Sequence, residues 1–176
     1  MRRTRILKIL CLLWLLSLAS GKLQAQQEGN YGIYANIIYR FTKYINWPED
    51  KKTGDFVIGI VGDSPLYEEL RNFTAGKSVG NQKIVIRKAP SAATYGNCQI
   101  LFVCEDESGS LKKIATLTAG TPVLLLSESE GLARKGSCIN FTIIDDHLKL
   151  EINRNNIGQR NLGIASELLS LGIIVQ

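Results

Sequence analysis

The stretch Phe56-Val57-Ile58-Gly59-Ile60-Val61-Gly62-Asp63-Ser64-Pro65 decides the fold of this chain. Its first six residues form a continuous apolar run, which is typical of a strand buried on both faces of a parallel sheet. The next four residues form a turn, and Leu66–Phe73 has the composition of a helix. Asp63 or Ser64 can cap that helix, and proline suits its first turn. The stretch therefore predicts a strand–turn–helix unit of an α/β protein.

The alternation of strands and helices continues along the chain. Further strands are predicted at Lys83–Arg87, Gln99–Cys104 and Pro122–Ser127, and further helices at residues 33–45, Ala92–Tyr95 and Leu111–Leu117. The first of these helices ends before Trp47-Pro48, because the residue before proline is pushed away from helical geometry. Strands separated by helices imply right-handed crossovers. We therefore expect a Rossmann-like, three-layer α/β sandwich whose mostly parallel sheet has helices on both faces.

The last third of the chain has a different pattern. Two β-rich runs, Ile139–Ile144 and Leu148–Ile152, flank Asp145-Asp146-His147, which is a hairpin signal. A final helix is expected at Leu162–Leu171, and an apolar tail follows it. The predicted sheet is thus extended by a C-terminal β-hairpin and closed by a final helix.

The first 25 residues have the features of a cleavable signal peptide. Basic residues at positions 2, 3, 5 and 8 precede an apolar stretch from Ile9 to Ala19, and Ala25 offers a small residue at the cleavage site. The apolar stretch is shorter than the about 20 residues that a membrane-spanning helix needs. We predict cleavage after Ala25, export from the cytoplasm and no membrane insertion of the mature chain. Residues 26–176 are expected to fold as one domain.

The predicted cleavage changes the net charge of the protein. The whole chain holds 21 basic and 16 acidic residues, which gives a formal charge of +5. Five of the basic residues and none of the acidic ones lie in residues 1–25, so the mature chain holds 16 of each. A net charge near zero gives no support for binding to nucleic acid, and no such partner is expected.

Polar residues follow two of the predicted parallel strands. Asp63 and Ser64 come after the first strand, and Glu105 opens the acidic cluster Glu105-Asp106-Glu107 after another. Open α/β sheets bind ligands at this edge, and a helix N-terminus attracts anions. The three residues Asp63, Ser64 and Glu105 are therefore candidates for a ligand site. A simple turn with a helix cap and a solvated acidic loop would explain the same residues, and both interpretations stay open.

Motifs for catalysis and for cofactors are missing from the sequence. Gly59 and Gly62 do not fit G-x-G-x-x-G, and neither a P-loop nor H-E-x-x-H occurs. The single histidine, His147, lies in the predicted hairpin turn, so no nucleophile with an oriented base is found. We expect a protein without catalytic activity, cofactor or metal.

Three cysteines remain after the predicted cleavage. Cys98 and Cys104 lie at opposite ends of one predicted strand, roughly 20 Å apart at about 3.3 Å per residue, which is too far for a disulfide. The chain that enters the hairpin could return to the same sheet edge, so Cys104 and Cys138 are the better candidates for a pair. The alternative is that all three are small buried thiols.

Six short segments follow one another in an order that is specific when they are taken together. They are Tyr44–Pro48, Phe56–Asp63, Cys98–Val103, Gly120–Leu124, Ile139–Phe141 and Leu150–Asn153. With the preceding signal peptide, this order resembles the YfiR-like family of periplasmic proteins over nearly the whole mature chain. The resemblance implies a Rossmann-like sandwich without catalytic activity. The protein that gives the family its name is a dimer with two internal disulfides. Of those four cysteines this chain keeps Cys98, and its partner position aligns with Gly59.

The resemblance also implies a regulatory function. The family is named for a repressor that binds the sensor region of an inner-membrane diguanylate cyclase and lowers cyclic-di-GMP output. We therefore expect a binding protein whose partner is an envelope signalling protein, such as the periplasmic region of a diguanylate cyclase or a sensor kinase. A homodimer stays open.

Two surfaces are candidates for binding. The contact surface for a protein partner is predicted at Phe141 of the hairpin and at Ile164, Leu168 and Leu171 of the final helix, with core packing of these residues as the alternative. The second hypothesis is a small-ligand sensor or carrier that uses the sheet edge at residues 63, 64 and 105.

Overall fold

The computed structural model describes residues 31–176, so the predicted signal peptide and its cleavage site lie outside the described residues. The helices are α1 (residues 31–44), α2 (Leu66–Thr74), α3 (Ala92–Tyr95), α4 (Leu111–Leu117), α5 (Arg154–Gly158) and α6 (Ser166–Leu169). The strands are β1 (Ile45–Asn46), β2 (Phe56–Val61), β3 (Ser78–Val79), β4 (Gln82–Lys88), β5 (Ile100–Val103), β6 (Leu124–Ser127), β7 (Ile139–Ile144), β8 (His147–Asn153), β9 (Gly163–Ile164) and β10 (Ile173–Val175).

The central element is an eight-stranded sheet with the strand order β10-β8-β7-β6-β5-β2-β4-β3. Strands β4, β2, β5, β6 and β7 run parallel to one another. Strands β3 and β8 pair antiparallel with their neighbours, and β10 pairs parallel with β8. A separate two-stranded ribbon joins β1 to β9. The predicted α/β class with a mostly parallel sheet and a hairpin is confirmed.

Helices cover both faces of the sheet. The β2–α2–β4 and β5–α4–β6 connections move in opposite directions across the sheet, so right-handed crossovers place α2 and α4 on opposite faces. Helix α1 lies on the face of α2, because Tyr39 meets Phe73 edge to face with ring centroids 5.9 Å apart. The result is the predicted three-layer sandwich.

The core lies on both faces of the sheet, and its aromatic part lies between α1 and the middle of the sheet. All six residues of β2 are buried, as expected for a strand that is covered on both faces. Phe141 of β7 lies at the centre of an aromatic cluster, with ring centroids 6.1 Å from Phe41 of α1 and 5.9 Å from Phe102 of β5. Aromatic side chains of this kind bury a large apolar area and fix the position of α1 on the sheet.

Gly59 permits close packing in the middle of β2. A Cβ atom at this position would lie 2.6 Å from the Cys98 Sγ and 3.0 Å from the Leu101 Cδ1. No side chain fits there without displacement, so the Cys98 thiol fills the space that glycine leaves.

The long final helix predicted at Leu162–Leu171 is wrong. Only α6 is helical in this range. Before it, β9 pairs with β1, and the Ala165 N–H donates to the Tyr44 carbonyl oxygen at 2.8 Å. After it, β10 pairs with β8. These backbone hydrogen bonds to distant strands outweigh the local helical spacing, and Gly163 further lowers the helix preference of the segment.

The predicted disulfide between Cys104 and Cys138 is also wrong, because Cys98, Cys104 and Cys138 are all buried free thiols. Cys104 follows β5, Cys138 precedes β7, and β6 lies between those two strands. Two strand spacings of about 4.8 Å each exceed the Cα separation of about 7 Å that a disulfide allows. Burial raises the pKa of Cys104 to about 12, so this thiol stays protonated at neutral pH.

Candidate functional site

A large surface groove runs between α1 and the C-terminal part of the sheet. Its volume is about 640 Å³. One wall is the side of α1 from Gly32 to Tyr44, and the other wall consists of β8, α6 and Leu171. The α1 wall extends over 13 residues, so that Gly32 and Tyr44 lie roughly 18 Å apart at a rise of 1.5 Å per residue. The groove is therefore as long as a short helix.

Helix α1 turns apolar side chains both to the core and to the groove. Ile38 and Phe41 are buried at 0% and 1% exposure, whereas Ile33 lines the groove and is 50% exposed. Leu171 on the facing wall is 68% exposed. Single exposed apolar residues are common on protein surfaces, but apolar residues that face each other across one groove indicate a contact surface.

The charged residues that line the groove are both basic. Arg40 lies on the α1 wall and Lys149 on the β8 wall, and no described Asp or Glu lines the groove. Within residues 31–176 neither side chain forms a salt bridge. The Arg40 Nε donates to the neutral Asn36 Oδ1 at 3.0 Å. Within residues 31–176, the groove thus combines an apolar floor with two basic side chains that form no salt bridge.

The structure separates the four residues predicted to contact a partner. Phe141 is 1% exposed and its ring centroid lies 4.5 Å from that of Tyr34, so it belongs to the core. Ile164 is a residue of β9 and does not line the groove. Leu168 is 1% exposed and forms part of the groove floor, next to the exposed Leu171. Two of the four residues are therefore brought together at the groove.

The three predicted ligand residues lie at one edge of the sheet. Asp63 and Ser64 follow β2, and Glu105 follows the adjacent β5. The order of the strands along the chain reverses between β2 and β5, which is the position where open α/β sheets bind ligands. The Ser64 Oγ accepts from the Leu66 N–H at 3.2 Å in a local turn, but the N-cap position of α2 is Pro65, so the helix cap predicted at Asp63 or Ser64 is wrong. We refer to this edge as the carboxyl-edge crevice.

Polar groups of the carboxyl-edge crevice bind one another. The Asp106 Oδ2 accepts from the Asp63 N–H at 2.9 Å, next to the start of α2. A side chain on Gly62, which has φ +95°, would collide with the Asp106 carboxylate. The Lys88 Nζ donates to the Asp63 Oδ1 at 2.9 Å and lowers the pKa of that carboxyl. The chain's own carboxylate thus occupies the place that an anionic ligand would take.

Glu128 is a residue of this crevice that the sequence did not single out. It follows β6 directly, and its Oε1 accepts from the Glu105 N–H at 3.1 Å. Burial raises the pKa of Glu128 to about 7 and outweighs the hydrogen bonds from Glu105 and Tyr31, while the charges of Glu105 and Asp106 raise it further. The signal in the sequence that could have identified Glu128 is its position directly after an apolar strand, because the central parallel strands end at this edge of the sheet.

Residues 31–176 contain no group of three His, Cys, Asp or Glu side chains placed to hold a metal ion. None of the helices described for the chain has the length and apolarity needed to cross a membrane. His147 is exposed at the start of β8, with its Nδ1 beside the Asp145 carbonyl oxygen. We take the groove as the candidate functional site.

An α/β sandwich with an apolar groove between its first helix and the sheet is the class of protein that the fold defines. A family model described as YfiR/HmsC-like matches residues 31–173, so the chain belongs to that family and the resemblance seen in the sequence is confirmed. A comparison with curated protein sequences gave no match.

One similar solved structure is a 3-hydroxyacyl-CoA dehydrogenase from Archaeoglobus fulgidus, with 10% sequence identity and a TM-score of 0.31. The similarity covers 68% of this chain and 55% of the dehydrogenase chain. A similarity of this extent carries no argument about activity.

Proposed function

We propose that this chain is a periplasmic regulatory protein that acts by docking on an envelope signalling protein. One observation carries the proposal: a chain of the YfiR/HmsC-like family presents an apolar, solvent-facing groove. By family resemblance, the partner is the periplasmic region of a membrane diguanylate cyclase, and docking lowers cyclic-di-GMP output. The signal peptide, cleaved after Ala25, exports the chain to the compartment of this partner.

Binding without turnover is the mode of action that we propose. Its support is the missing set of nucleophile and oriented base in the sequence, together with the regulatory character of the family. Docking of a small domain buries on the order of 1,200–2,000 Å² in total, with apolar residues at the centre and polar residues at the rim. The groove combines both kinds of residue, with the buried Leu168 in its floor, the exposed Ile33 and Leu171 on its walls, and the basic Arg40 beside them.

The alternative function is a small-ligand sensor or carrier that uses Asp63, Ser64 and Glu105. The geometry favours it less, because Asp106 already accepts the hydrogen bond that an anionic ligand would receive from the Asp63 N–H. Docking through the groove is therefore our first proposal.

Cyclic-di-GMP measured in the native host tests this function. Overproduction of the full chain should lower the cyclic-di-GMP level, whereas a leaderless version, residues 26–176, should leave it unchanged because it stays in the cytoplasm. Purified periplasmic region of the cyclase should bind the mature chain. An unchanged cyclic-di-GMP level on overproduction of the exported protein, or an equal effect of the leaderless version, would contradict the proposal.

A further inference from the structure

We infer that the groove receives an acid-bearing amphipathic helix of the partner, lying alongside α1. This inference rests on the proposed function, because it specifies which element of the partner docks. Three features of the groove carry it: its length, the position of its apolar residues and the sign of its charge.

The shape of the groove fits a helix. Its wall on α1 extends from Gly32 to Tyr44, roughly 18 Å, which equals about three turns of a partner helix. Helix-in-groove recognition uses anchors at i, i+3 or i+4 and i+7, which form one apolar ridge. Ile33 on one wall and Leu171 on the other are exposed at the two sides of such a ridge. A helix seated between them would cover both side chains.

The positive charge of the groove favours acidic residues on the two flanks of that helix. Arg40 and Lys149 lie on opposite walls, so each would face one flank of the incoming ridge. Neither has an acidic partner within residues 31–176. Glu or Asp on both flanks would supply these partners. Complementary charges at a rim raise specificity and the association rate more than the affinity.

A second copy of this chain fits the groove less well. In a two-fold dimer the same surface of each copy meets the other. Such a contact through the groove would bring four basic side chains, Arg40 and Lys149 of each copy, into one interface. Like charges brought together in an interface oppose association.

Two synthetic peptides test the inference on the mature protein purified from the periplasm. Both are amphipathic helices of about 14 residues with leucine at i, i+3, i+4 and i+7, and they differ only in having Glu or Lys on both flanks. By fluorescence anisotropy, we expect the Glu peptide to bind about tenfold more tightly than the Lys peptide, with a preference that declines as salt is added.

Substitutions inside and outside the groove test whether the peptides bind there. Arg40→Glu and Lys149→Glu should each weaken the Glu peptide about tenfold and strengthen the Lys peptide, while Lys112→Glu on α4 should change neither. Ile33→Ser should weaken both peptides, and Leu117→Ser is its matched control, because the two side chains are 50% and 49% exposed and Leu117 lies outside the groove.

Each contrary outcome has a distinct meaning. Equal affinity for the two peptides, or no binding of the Glu peptide, overturns the inference. A dimer in sedimentation experiments that Ile33→Ser dissociates also overturns it, by assigning the groove to a second copy. Unchanged binding of the cyclase region by Arg40→Glu refutes the inference and leaves the proposed function intact. If the Glu peptide binds but overproduction of the exported protein leaves the cyclic-di-GMP level unchanged, the proposed function is refuted and the inference about the groove is not.

Discussion

The carboxyl-edge crevice and the groove between α1 and β8 differ in how far their side chains are paired or buried within the chain. In the crevice, Asp106 accepts the hydrogen bond of the Asp63 N–H, so the chain supplies its own anion. In the groove, Ile33 and Leu171 stay exposed, and Arg40 has no acidic partner among the described residues. The Asp63 N–H beside the start of α2 is thus already bonded within the chain, whereas the groove keeps exposed apolar and basic side chains. Exposed apolar side chains and basic side chains without a salt bridge, more than position in the fold, are therefore the basis of the docking that we propose for the groove.

The floor and the rim of the groove should differ most in their effect on stability. Leu168→Ala removes a side chain that is 1% exposed, and we expect the free energy of unfolding to fall by about 2–5 kcal/mol. Leu171→Ala is the matched control. That leucine is 68% exposed, so its substitution should lower the free energy of unfolding by less than about 0.5 kcal/mol. Unfolding in denaturant measures both. Equal losses of stability would show that the assignment of floor and rim is mistaken.

A second comparison concerns the close packing of Gly59 in β2 against Cys98, in oxidised and in reduced protein. In Gly59→Cys the new side chain should strain the reduced protein by about 1–3 kcal/mol, because the strand is tightly packed here. Oxidation should then form a bond to Cys98 and return about 2–4 kcal/mol of stability. Thermal unfolding with and without reductant, together with non-reducing peptide mapping, checks both effects.

The control for this variant is Gly59→Ala, which should be destabilised equally in oxidised and reduced samples. A Gly59→Cys protein that keeps both thiols free after oxidation would contradict the packing described for Gly59.

Glu128 tests how completely the crevice is satisfied. Its pKa in the folded chain is raised from 4.5 to about 7, so the folded state holds a proton that the unfolded state has lost between these two pH values. This group's contribution to the free energy of unfolding should therefore fall as the pH rises from about 4.5 to about 7, by at most about 3 kcal/mol. The groups that face Glu128 are Tyr31, Tyr34, Glu105 and Asp106.

Glu128→Gln should remove this contribution, because the amide carries no charge and can still accept from the Glu105 N–H. The difference in unfolding free energy between the wild type and the variant, measured from pH 4.5 to pH 8, isolates the effect. Glu130→Gln, an exposed neighbour, is the control. A difference between wild type and Glu128→Gln that does not change with pH would refute the account of this crevice.

Elements whose signals are local could be predicted from the sequence. Strand β2 and helices α3 and α4 have the predicted bounds, because a continuous apolar run, a turn and a helical stripe are each contained within a few residues. The crevice residues Asp63 and Glu105 could also be placed at one edge, since the carboxyl ends of parallel strands meet there.

The C-terminal segments and the groove could not be predicted in the same way. Strand β9 depends on β1, and β10 depends on β8, so their backbone partners lie more than a hundred and about twenty residues away, respectively. Leu168 and Leu171 have the same hydrophobicity and share one predicted helix face, yet one is buried and the other exposed. That difference arises only when the tail and α1 come together in space.

Hydrogen–deuterium exchange of the mature protein, with and without the purified periplasmic region of the membrane cyclase, tests the central claim most directly. We predict that the partner slows exchange in α1 and in β8, the two walls of the groove, and leaves the amides of Asp63 and Glu105 in the crevice unchanged. Slower exchange at the crevice with no change in α1 and β8 would contradict the claim that this chain acts through its groove.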